Sequence, residues 1–118
     1  MSKNKLRDKA DEIWKQKVMA NGSCICEVCG KPAITGHHYY PKSCYGHLRF
    51  EVRNGVSICA GCHMKHHISG DPSIHLAIQR KRGDEWVEEL RELSLDRPIG
   101  TYLRKSWYET KTRELNDN

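Results

Sequence analysis

Between Cys26 and His67 the chain interleaves cysteines and histidines at spacings that metal ions use. Cys26 and Cys29 form one CxxC and Cys59 and Cys62 a second. Four thiolates suit tetrahedral zinc, which accepts soft sulfur donors and imposes no geometry of its own. Gly30 and Gly61 fit the same reading, because a glycine beside a knuckle cysteine lets the backbone turn tightly around the metal. Cys24 could replace Cys26, but only as a CxxxxC without the CxxCG shape. Six cysteines in a short chain could instead form the disulfide framework of a secreted protein. The opening MSKNKLRDKADEIW lacks the apolar stretch of an export signal, so structural Zn2+ at Cys26, Cys29, Cys59 and Cys62 is the expectation. Cys44, in the intervening loop, is expected to be a packed free thiol.

The histidines could carry a second ion. His63 and His67 are four apart, and a helix over Ala60 to Ser69 would project both imidazoles from one face. His37 and His38 follow Gly36 at the end of a strand-like run from Ala33 to Thr35. Strand neighbours point to opposite sides, so one of the two can bind a metal while the other faces elsewhere. Three neutral imidazoles with an open coordination position would hold a Lewis acid for a phosphodiester oxygen. The fourth, unbound, could take a proton from water. Zn2+, Ni2+, Mn2+ and Mg2+ are all candidates, with magnesium least at home among nitrogen ligands. His47, His66 and His75 have no matching partner spacing and are expected to be surface or supporting residues.

The stretch holding CEVCG, GHHYYPK and RNGVSICAGCHMKHH resembles the HNH endonuclease family, whose ββα-metal fold clasps a catalytic ion between a β-hairpin and a helix. The resemblance implies His38 as general base and Asn54 as the residue that braces the loop and orients that base. It implies His37, His63 and His67 as ligands of one divalent ion, in the HH…N…HxxxH variant of the DNase colicins. It also implies a four-cysteine structural zinc, as in many HNH proteins. GHLRFEVRNGVSICAGC, SGDPSIH and RGDEWVEEL look like phage HNH proteins and, more loosely, NinG recombination nucleases. The chain departs from the latter in its His-His doublet and in placing His63 directly after Cys62. DNA is the implied partner and the cytoplasm, including that of a phage host, the implied location. The alternative is a zinc-knuckle nucleic-acid-binding module without catalysis.

These residues need elements to position them. With 118 residues and 37% apolar content, the expectation is one small α+β domain in which zinc contributes much of the fold. It divides into an N-terminal helix (1–22), a zinc knuckle with the ββα-metal core (24–69) and a helical C-terminal extension (71–118). Leu6, Ala10, Ile13, Trp14 and Val18 recur at helical spacing, ended by Asn21-Gly22. Asp71-Pro72 predicts an N-cap and first turn for a helix that Gly83 stops. Asp84 is expected to cap the next, lined by Trp86, Val87, Leu90 and Leu93. Pro98 is expected to open a last helix with Ile99, Leu103, Trp107 and Thr110 on one face. The net charge of +5 favours a polyanion without identifying one. Lys42, Arg49, Arg53, Arg80 and Arg82 are the candidate phosphate contacts. No apolar segment is long enough to span a bilayer.

Overall fold

The computed structural model describes residues 1–98 and 103–117. It is a small α+β structure: helix α1 (Lys3–Asn21), strand β1 (Thr35–His38), two single 3-10 turns (Gly46–Leu48 and Val52–Asn54), strand β2 (Gly55–Ile58), and helices α2 (Ala60–Ser69), α3 (Ser73–Arg82), α4 (Asp84–Leu95) and α5 (Lys105–Asp117). The strands pair antiparallel, with Thr35 opposite Ile58 and His38 opposite Gly55. No described helix is long and apolar enough to cross a membrane.

Helix α1 buries Leu6, Ala10, Trp14 and Val18, the i, i+4 stripe its sequence carries. Ser2 starts it by accepting a hydrogen bond from the Lys5 amide. One side of this stripe meets Phe50 together with Trp107, Tyr108 and Leu115 of α5, forming the first of two apolar cores among the described residues. The other side lies on the hairpin, and the approach is close. A Cβ on Gly55 would sit 2.2 Å from Val18 Cγ2 and 2.9 Å from the Trp14 ring, and one on Gly36 would sit 3.0 Å from Trp14. Both strand glycines therefore exist to let a helix press onto the backbone beside the histidines. Gly55→Ala should destabilise the fold by about 1–3 kcal/mol, the usual cost of overpacking. Chemical denaturation measures this, and an unchanged midpoint would contradict the close approach.

The second core joins Val56 and Ile58 of β2 to Cys26, Cys59, Cys62 and to Ile74 and Ile78 of α3. Arg82 locks its edge: the guanidinium donates to both Glu27 carboxylate oxygens at 2.8 and 2.7 Å and to the Gly55 carbonyl at 3.0 Å. Glu27 in turn accepts from the Ser57 amide.

Several expectations need correction. Gly22 does end α1, but with φ −90°; it is required because a Cβ there would lie 2.5 Å from the Ser57 Cβ. Asp84 is the first residue of α4 and caps nothing, while Gly83, at φ 88°, makes the turn. Asp71 accepts from the Ser73 amide, with Pro72 at the cap position. Pro98 lies outside any helix and Ile99 lies outside the described residues. Leu103 is exposed, and the buried face of α5 is Trp107, Tyr108, Thr112 and Leu115. Cys44 is exposed.

Candidate metal centre

The four knuckle sulfurs converge. Cys26, Cys29, Cys59 and Cys62 place their Sγ atoms within 4.8 Å of one another, close enough for a structural metal such as zinc. The first pair sits on a tight turn: the Cys26 amide bonds the Lys31 carbonyl, the Gly30 amide bonds the Cys26 carbonyl, and Gly30 takes φ 81° as only glycine does freely. The second pair is the N-terminus of α2, where Cys59 is the cap and its sulfur accepts from the Cys62 amide. Gly61 is an ordinary first-turn residue with open space around it. That amide contact and the neighbouring thiols lower the Cys59 thiol to about 7. Burial and its bonding to Cys59 push Cys62 up. A dication held by the four sulfurs would favour the thiolate form of each. Cys24 and Cys44 stand apart from the cluster.

The histidines form a second cluster where the hairpin meets α2 and α3. His37, alone of the doublet, points into the interior, 2% exposed. Its Nδ1 is buried without a hydrogen-bond partner, an atom with a lone pair or proton to place. Burial, then the rings of His66, His75, His63 and His67, depress its pKa to about 2, so the ring is neutral and able to ligate. His63 and His67 project from one face of α2, their Nε2 atoms 2.8 Å apart, and with His37 they form a triad with ligand atoms within 4.8 Å. His66 and His75, expected as surface or supporting residues, also belong here: with His37 they form a second triad of the same compactness. Sequence spacing missed them because His66 uses a neighbouring face of α2 and His75 arrives from α3. His47, by contrast, bonds the Leu93 and Ser94 carbonyls at the end of α4.

His38 faces the opposite side of β1. Its ring stacks on Trp14, centroids 3.9 Å apart and 6° from parallel, and its Nε2 lies 2.9 Å from the Arg49 carbonyl. A carbonyl can only accept, so Nε2 carries the proton and Nδ1 keeps the lone pair. Asn54 holds the intervening loop shut. It is fully buried; Oδ1 accepts from the Tyr40 amide at 2.8 Å, Nδ2 donates to the Tyr40 carbonyl at 3.0 Å and the Leu48 carbonyl at 3.4 Å, and its own carbonyl accepts from the Tyr39 amide. The Arg49 carbonyl that orients His38 belongs to this loop. His37, His38, His63, His66 and His67 all line one open cavity of about 480 Å³, which Lys42 lines too.

Burial lowers His38 to about 4, against a partial upward pull from its bond to the Arg49 carbonyl. The native ring therefore stays neutral until pH falls through about 4, whereas the unfolded ring protonates near 6.5. The unfolded chain binds more protons in that window, so the stability His38 contributes is whole above 6.5 and is lost as pH falls toward 4. At about pH 5, imidazole nitrogen shifts should report His37 and His38 as neutral rings in the folded chain. Protonated rings there would contradict the buried arrangement.

Three of the five candidate phosphate contacts are already engaged. Arg49 forms a two-pronged pair with Asp11 at 2.8 and 2.6 Å, Arg53 pairs with Glu51 and Glu89, and Arg82 is held by Glu27. Their charges serve the fold first. Lys42 and Arg80 are exposed with no carboxylate partner among the described residues.

Fold and site together define a small α+β chain with a cysteine cluster able to hold a structural metal. No family model matches it, and neither the curated proteins nor the solved structures provide a match.

Proposed function

We propose that the chain is a metal-dependent endonuclease of the HNH kind, in which β1, β2 and α2 form the ββα-metal core. The observation that carries this reading is the contrast within the doublet. His37 turns inward to the His63–His67 pair, while His38 is kept out of that cluster by Trp14 and the Arg49 carbonyl, with one ring nitrogen left free. A non-catalytic zinc module has no use for an oriented, unliganded imidazole beside a ligand triad.

The donor set fits a divalent ion of the zinc or nickel type, since His37 offers a buried, unpartnered nitrogen and all three groups are imidazoles. Such an ion, when bound, supplies Lewis-acid stabilisation of charge on the phosphate. The chain does the rest. His38 Nδ1 takes a proton from the attacking water, and its bond to the Arg49 carbonyl fixes the tautomer and the ring direction. Asn54 positions that carbonyl through its grip on the loop. Lys42 in the cavity lining and Arg80 on α3 give the DNA backbone cationic contacts that carry no base information, so binding is expected to be largely sequence-independent and salt-sensitive.

Relaxation of supercoiled plasmid in Zn2+, Ni2+, Mn2+ and Mg2+ tests the reading. Nicking that needs added ion is expected, and His67→Ala should require at least tenfold more ion for the same rate, at roughly the fold-loss of one removed ligand. A well-folded chain that binds DNA and cuts it with none of these ions would be the non-catalytic module instead.

A further inference from the structure

We propose that His37, His66 and His75 form a second site for a divalent transition-metal ion, and that it excludes occupation of the His37–His63–His67 site because both need the same His37 imidazole. The three residues come from β1, α2 and α3, so the site exists only once the helices have packed. His37 Nε2 and His75 Nε2 lie 3.2 Å apart. Two nitrogens about 2.0–2.1 Å from a tetrahedral ion stand about 3.3 Å from each other, so this pair already has the separation of two ligands. The corresponding distance between His63 and His67 is 2.8 Å, short of the tetrahedral separation, so that pair would have to open slightly to admit a tetrahedral ion.

His75 is also held in place. Its ring is sandwiched, with His66 stacked on it at a centroid distance of 4.4 Å and 15°, and Tyr39 at 4.4 Å and 18°. The Tyr39 hydroxyl accepts from Gln79 one turn further along α3, which ties the stack to the helix that carries His75. A side chain fixed by its neighbours loses little freedom on ligating. Three imidazoles and no carboxylate favour zinc, copper, nickel or cobalt over magnesium or calcium.

Exclusion follows from the chemistry of one ring. A neutral imidazole has one lone-pair nitrogen, and serving two ions would need the imidazolate. The cluster therefore holds one ion at either of two addresses. Resting on the nuclease reading, an ion at the second address withdraws His37 from the first and silences cleavage; the site itself does not depend on that reading.

Cobalt(II) titration of the full chain, with zinc already in the cysteine cluster, tests the site by binding alone. The unaltered chain should take up a single histidine-bound Co2+. His63→Ala/His67→Ala should still take up one, with affinity reduced by no more than about tenfold, and adding His66→Ala/His75→Ala should abolish it. Unlike His37, none of the four is fully buried, and circular dichroism checks each variant's fold. Should a variant not fold, the unaltered chain decides: paramagnetic shifts on His66 and His75 ring protons support the site, and shifts confined to His63 and His67 overturn it. Binding by the His63→Ala/His67→Ala chain no stronger than by the fourfold variant, or two histidine-bound Co2+ on the unaltered chain, overturns the proposal as well.

Discussion

Cys59→Ser is expected to leave a chain that no longer retains zinc through dialysis and no longer melts cooperatively. Serine is itself a good helix cap and can accept the Cys62 amide as the sulfur does, so the start of α2 is preserved and the loss isolates the metal. The size of the effect follows from what the sulfurs hold together. Three of the seven buried residues of the second core are ligand cysteines, and the rest are small or medium aliphatics from β2 and α3. Structural zinc contributes about 10–16 kcal/mol in comparable sites, as much as the entire stability of an ordinary domain of about 5–15 kcal/mol. A chain deprived of it cannot keep β2 against α3. Cys26→Ser, at a sulfur-bearing residue 1% exposed, should behave alike. Zinc content by elemental analysis together with thermal melts checks this; native melting without metal would end the assignment.

The cysteines were readable because a CxxC fixes its own local geometry: two ligands three apart close around an ion whatever surrounds them. α2 was readable for a similar reason, since HxxxH and the apolar run before it imply a helix just after a strand, as found over Ala60–Ser69. The role of Trp14 in seating His38 was not, although the stripe it belongs to was. A periodic pattern gives the buried face of a helix and says nothing of what that face will meet. His75 escaped for the same reason, because its place depends on how α3 docks. The arginines show the converse limit. Arg49, Arg53 and Arg82 read as free cations until Asp11, Glu51, Glu89 and Glu27 come beside them from up to 55 positions away. Gly36 and Gly55 carried a signal, two glycines flanking the histidine and asparagine motifs, whose cause is the approach of α1.

Removing the proposed base should have the largest effect on the proposed activity. General-base catalysis by a positioned side chain contributes about 10²–10⁴-fold, so on this proposal loss of the His38 imidazole should lower cleavage by that factor while the His37–His63–His67 triad is untouched. His38→Ala would also leave the Arg49 carbonyl without its donor inside a loop that Asn54 holds closed, a cost of about 1–3 kcal/mol. His38→Gln avoids this. Its amide can donate to the same carbonyl, it covers part of Trp14, and it has no basic nitrogen to accept a proton from water.

Plasmid nicking by His38→Gln at saturating ion, measured beside its affinity for that ion, is the most direct test. The proposed reaction predicts a loss of at least about a hundredfold in rate with ion affinity unchanged within experimental error. Full activity in the variant, or a loss of activity that tracks a loss of bound ion, would contradict His38 as the base and with it the proposed reaction.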